Sequence, residues 1–185
     1  MATQTKASNA HSGSHEAKGE WLQTRPGERC LIRVSAIETA GAYSVIEIVS
    51  SPGDSTPMHV HQNEDEHILV VEGTARIACG DKISDAAAGS VVTLKRSIPH
   101  AWGNATESAL RVVITATPGG REEVLRVIAR GGDIDLGALS ENSGIRIFGP
   151  QLLTGAAQVR NDLPNVIREV SGRDPRRIWP MRSKP

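Results

Sequence analysis

From about Arg29 to Thr117 the chain alternates short β-prone apolar runs with turn-forming residues. The runs are Cys30–Val34, Tyr43–Val49, Met58–His61, His67–Val71, Ala75–Cys79, Val91–Leu94 and Leu110–Thr115, each closed by Gly, Pro, Asp or Asn. Cys79-Gly80-Asp81-Lys82 reads as a tight hairpin. Many short strands at this spacing predict an all-β fold, an antiparallel sandwich or jelly-roll barrel. One run breaks the alternation. Ile68-Leu69-Val70-Val71 is apolar at every position, so the strand should be covered on both faces. One cover is the barrel interior. The other must be a helix, the chain's own extension or a second subunit, and the expectation is a homodimer through sheet packing.

The pattern changes outside this region. Residues 1–18 are rich in Ser, Ala, Thr, Asn, Gly and Lys without periodicity and read as a flexible tail, so His11 and His15 read as solvated. The barrel is expected over 19–118. Pro118-Gly119-Gly120 ends the sheet, and Arg121–Arg130 has helical spacing, with Val124, Leu125 and Ile128 on one face and charges opposite. Leu136–Glu141 fits a second short helix, and Ile145–Pro150 a short extended piece. These form a C-terminal helical extension over 119–158. A polar, basic tail, 159–185, carries Arg173, Arg176 and Arg177.

Composition narrows the function. The formal net charge is zero and no basic stripe runs through the folded region, which argues against nucleic acid. No stretch approaches the roughly 20 apolar residues of a membrane span. The first residues lack an apolar signal core, and Cys30 and Cys79 are too few for a disulfide framework, so free thiols and a cytoplasmic location are expected. With one Tyr, one Phe and three Trp, the core must rest on Val, Ile, Leu and Ala.

Two segments carry chemistry. In Gly53-Asp-Ser-Thr-Pro-Met-His59-Val-His61 the two histidines stand at i and i+2, so a strand sends both rings to one side. Glu66, just past a short turn, returns a carboxylate to the same place. This is a 2-His-1-carboxylate set, typical of non-haem iron and related divalent sites. His67 then faces outward by parity, and Glu64 and Asp65 fall in the turn and read as solvated. The second segment runs from Gly89 through Lys95-Arg96-Ser97-Ile98-Pro99 to His100 and Asn104.

Together the segments resemble the cupin family. Gly53, His59, His61, Glu66 and Gly73 match its first motif, and Gly89, His100 and Asn104 its second. The resemblance implies a jelly-roll β-barrel in which His59, His61, Glu66 and His100 bind one divalent metal ion per chain (Fe, Mn, Ni, Co or Zn) and a small-molecule substrate enters. Lys95 and Ser97 stand where the second motif usually has Pro and Gly. The helical tail ending in Phe148-Gly149-Pro150 is similar to that of quercetin-dioxygenase-like proteins. On that resemblance the activity is a metal-dependent dioxygenase acting on a small enolisable or aromatic substrate, flavonol- or diketone-like, with Glu66 as the catalytic base. The alternatives are a metal-dependent isomerase or decarboxylase, or a non-enzymatic small-molecule-binding cupin. Met58 and Trp102 read as barrel lining. Lys95 and Arg96, in the turn before His100, leave a weakly anionic substrate open.

Overall fold

The computed structural model describes residues 19, 21–132 and 136–153. The two flanking tails, with His11, His15 and Arg173, Arg176 and Arg177, lie outside the described residues.

Two antiparallel sheets face each other. The six-stranded sheet holds β1 (Trp21–Arg25), β2 (Glu28–Val34), β3 (Ser44–Ser50), β10 (Leu110–Thr117), β5 (Asp65–Glu72) and β8 (Val91–Leu94), in that spatial order. The five-stranded sheet has the order β11 (Ile145–Gln151), β4 (Pro57–His61), β9 (His100–Gly103), β6 (Thr74–Cys79) and β7 (Lys82–Ala87). This is the jelly-roll barrel expected from the strand spacing, with two short helices, α1 (Arg121–Arg130) and α2 (Leu136–Ser143). The hairpin at Cys79–Lys82 is present, with Cys79 opposite Lys82 and Gly80 at φ 59°.

Strand parity fills the interior. Ile46 and Ile48 on β3, Ile68 and Val70 on β5, and Val112 and Ile114 on β10 all point inward and are buried. The cluster is almost wholly aliphatic, with Trp102 of β9 as its large aromatic member. Leu125 of α1 joins it, so this helix is tied to the barrel interior and lies against β1.

That position removes α1 from the possible covers of the outer face of β5. Ile68 and Val70 are buried, but Leu69 and Val71 on the outer face of β5 are 40% and 45% exposed. The apolar run therefore has one covered face. Leu125 and Glu122 commit α1 elsewhere, and no other described segment covers this side. Near it Glu47, buried on β3, pairs with Arg33 and Arg111. Burial works to raise its pKa, but the two guanidinium bonds outweigh it and hold the carboxyl low.

The outer face of the other sheet is covered. Met58, opposite in parity to His59, packs with Ala78 and Ala101 beneath Leu152, Leu153 and Phe148. Met58 thus sits between the sheet and the C-terminal segment, not on the barrel lining. The same segment supplies β11, where Ile147 pairs with His59.

Two loops fix the site's geometry. Asn104 is buried and clamps the loop after β9, donating to Ser50 O at 3.0 Å and Ser108 O at 2.7 Å. The turn between β8 and β9 aims His100. There Ser97 takes φ 63°, the left-handed conformation in which glycine is favoured, and its N–H donates to His61 O at 2.7 Å. The serine that departs from the motif thus adopts a glycine-like backbone.

A left-handed non-glycine residue costs about 1–2 kcal/mol, and glycine gives back about 0.5–1 kcal/mol as unfolded-chain entropy. Ser97→Gly should therefore stabilise the fold by roughly 0.5–1 kcal/mol, read from urea unfolding. A loss of stability would show that the serine is favoured at this turn.

Candidate metal centre

His59 and His61 project from β4, Glu66 from the second position of β5, and His100 from the start of β9, where it pairs across the ladder with His59. All four are buried. Their candidate ligand atoms lie within 4.8 Å of one another. The His59 ring stands edge-on to the other two, with centroids 4.9 Å from His61 and 4.5 Å from His100, while His61 and His100 lie nearly parallel at 5.1 Å.

The tautomers follow from the partners. His59 Nδ1 lies 2.7 Å from Pro57 O, and His100 Nδ1 lies 2.8 Å from Ile98 O. A carbonyl only accepts, so each Nδ1 carries the proton and each Nε2 turns a lone pair inward. Among the described residues, His59 Nε2, His100 Nε2 and both Glu66 oxygens are buried without a hydrogen-bond partner. Glu66 Oε1 is 3.6 Å from His61 Nε2, and Oε2 is 3.6 Å from His100 Nε2. Lone pairs that converge in a dry interior fit a cation, and three imidazoles with one carboxylate suit a single divalent ion. The residues present fit such an ion.

Electrostatics agree. Burial, together with the charges of the other rings and Arg121, pushes His59 well below the ordinary histidine range. His61 is pushed down to about 3, by burial first and then by Arg121. Neutral imidazole is the ligand form. For Glu66, burial alone would raise the pKa, but Arg121, His61 and His100 outweigh it and keep the carboxyl well below its usual range.

Three surrounding groups differ from expectation. Glu64 is not solvated. It is buried, and its Oε1 accepts a hydrogen bond from His61 Nδ1 at 2.7 Å. His61 is thus the ring backed by a carboxylate, where the other two have carbonyls. The turn after β4 folds Glu64 back over its own strand, which strand parity does not foresee. Burial raises the Glu64 pKa against the lowering effect of Arg121.

Lys95 and Arg96 do not face the centre. Asp65 takes both, through Lys95 Nζ at 3.0 Å, Arg96 N at 2.9 Å and Arg96 Nε at 3.0 Å. His67 faces away from the centre and meets Thr93 Oγ1 at 3.0 Å.

The third group is Arg121, which by its i, i+3, i+4, i+7 spacing shares a helical face with Val124, Leu125 and Ile128. Its Nε lies 2.5 Å from Glu66 Oε1, an ion pair off the N–H direction. Its Nη1 lies 3.1 Å from His61 Nε2 and 3.4 Å from Nδ1. Nearly equal distances to both ring nitrogens place Nη1 over the imidazole, not along the Nε2 lone pair. The signal available in sequence was that spacing, which sets a charged residue on the face that packs against the barrel.

The Cupin domain family model matches residues 47–116. A stretch of 67 residues is 28% identical to mannose-1-phosphate guanylyltransferase 2 of Escherichia coli O157:H7, covering 36% of this chain and only 14% of that protein's length. Among solved structures, KdgF from Halomonas sp. superposes with a TM-score of 0.51 at 15% identity, over 56% of this chain and 92% of that one. An RmlC-like cupin from Shewanella frigidimarina gives 0.51 at 16% identity, over 62% and 96%. At these identities the likeness is one of fold.

The carboxylate behind His61 gives a test. Glu64→Gln replaces a charge-assisted bond by a neutral one and should weaken Zn(II) binding about tenfold, measured by chelator competition. Unchanged affinity would mean that the barrel alone orients His61.

Proposed function

Residues 47–116 being a cupin domain, and the chain a member of that superfamily, we propose that it is a metal-dependent enzyme for non-oxidative chemistry, an isomerase or decarboxylase acting on a small enolisable substrate. His59, His61, Glu66 and His100 hold one divalent ion. The observation that carries this reading is the inward convergence of His59 Nε2 and His100 Nε2, which have no hydrogen-bond partner among the described residues, with His61 and the Glu66 carboxylate.

A divalent ion bound there supplies Lewis acidity, polarising a substrate oxygen and stabilising negative charge as it develops. The chain's own residues do the rest. Pro57 O, Ile98 O and Glu64 lock the three rings. The buried interior excludes water, which strengthens each charge interaction. Glu66 is the carboxylate nearest the centre and the candidate proton acceptor. Arg121 keeps it ionised, and therefore a weak base. A second cation beside the ion supports a reaction limited by the stabilisation of a developing anion, as in decarboxylation. No helix among the described residues is long and apolar enough to cross a membrane. Cys30 and Cys79 are both free thiols, which suits the cytoplasmic reading.

For assembly we propose a homodimer through the outer face of the six-stranded sheet. Leu69, Val71 and Val91, 40%, 45% and 66% exposed, support it as an apolar stripe beside the Arg33–Glu47–Arg111 cluster. Light scattering at micromolar concentration should give twice the chain mass, and Leu69→Glu with Val91→Glu should halve it. A monomeric wild type would sink this arrangement.

The chemistry is tested with protein loaded separately with Fe, Mn, Ni, Co and Zn and given small oxo and hydroxy compounds in D₂O. Proton NMR should reveal metal-dependent exchange, isomerised product or decarboxylation, absent after chelation, with no oxygen consumed. Oxygen uptake in step with the loss of a flavonol or diketone would instead establish the dioxygenase reading.

A further inference from the structure

The charge around the centre does not balance. Three neutral imidazoles, a divalent ion, Glu66, Glu64 and Arg121 leave one unit of positive charge even with both glutamates ionised. Net charge held out of water is costly unless a counter-charge joins it. Arg121 is the source of the excess, and its side chain is nine-tenths buried.

Arg121 is also fixed. It is the first residue of α1, and its neighbour Glu122 is buried, accepting from Ala36 N at 2.6 Å and Gly120 N at 3.2 Å. Gly119 N donates to Gly41 O at 3.0 Å, and a Cβ on Gly119 would stand 2.6 Å from the backbone of Tyr43. The helix start is thus clamped to the 35–43 loop, and the guanidinium reaches the centre from an anchored base. Nε faces Glu66 and Nη1 lies over His61, while Nη2 has no hydrogen-bond partner among the described residues. The Nη1–Nη2 edge of a guanidinium is a planar fork matched to a carboxylate. Lys95 and Arg96, the other nearby cations, are already engaged by Asp65.

We propose that Arg121 is the specificity-determining residue of this centre and that the substrate is a small carboxylate, with its carboxylate on the Nη1–Nη2 edge of Arg121 and a neighbouring carbonyl or hydroxyl oxygen directed to the metal. This narrows the substrate class within the function proposed above and rests on it. The class is that of small oxo and hydroxy acids, and neutral diketones and flavonols are excluded from tight binding.

The test uses a matched pair of unreactive probes, lactate and lactamide, which differ in having a carboxylate or a neutral amide. Full-length protein is loaded with Co(II), its metal content is measured, and each probe is titrated while the visible spectrum of the ion is followed. Wild type should prefer lactate by about tenfold or more, the scale of a charge-assisted fork. Arg121→Gln should keep its Co(II) and lose the preference, and Arg121→Lys, which retains charge without the fork, should keep part of it. Should the glutamine variant fail to fold, the lysine variant decides, a full wild-type preference counting against the fork. Equal binding of the two probes by loaded wild type, or an undiminished preference in Arg121→Gln, overturns the inference and leaves the metal centre standing. Wild type that takes up no Co(II) brings down the metal reading and the inference with it.

Discussion

Everything in this molecule turns on four polar side chains whose lone pairs meet inside a closed apolar barrel. Each ring nitrogen or carboxylate oxygen turned into that space loses its water. The outward halves of the rings recover a bond from Pro57 O, Ile98 O and Glu64, but the inward nitrogens of His59 and His100 find no hydrogen-bond partner among the described residues, and Glu66 has only its ion pair with Arg121. A buried arrangement of this kind makes physical sense only around a cation. The barrel is accordingly rigid where the groups are launched, with β4 and β9 paired at His59 and His100 and the Ser97 turn bonded to His61 O.

A second layer sets the character of the centre. Glu64 makes His61 unlike the other two rings, and Arg121 adds a permanent positive charge that opposes protonation of His61 and favours ionised Glu66. Both come from segments outside the strands that bear the ligands, one from a turn and one from the start of a helix. The barrel supplies the metal-binding geometry, and these flanking groups bias what the geometry is used for.

The two outer faces have different fates. One sheet is covered by Phe148, Leu152 and Leu153, so Met58 is buried on the side opposite the ligands. The other keeps an apolar stripe at Leu69, Val71 and Val91. Helix α1 could have covered that stripe, but Leu125 belongs to the interior cluster and Glu122 holds the helix start to Ala36 N.

Local chemistry in the sequence determined a good deal: the period-two runs that make a barrel, the turn residues between them, and the His-x-His, Glu66 and His100 pattern that gathers in the interior. These are legible because strand parity fixes side-chain direction over two or three residues. What it left open lay beyond the reach of local periodicity. Glu64 looked solvated because a turn has no parity, and only the fold shows it turned back onto His61. Arg121 shares a helical face with Val124, Leu125 and Ile128, but a helical pattern tells which residues share a face, not which neighbour that face meets; the anchoring of α1 carried it to Glu66. Lys95 and Arg96 looked available to a substrate because their partner, Asp65, lies some thirty residues earlier in the chain. Contacts between distant segments depend on how whole elements pack, and that packing was decided by tertiary structure alone.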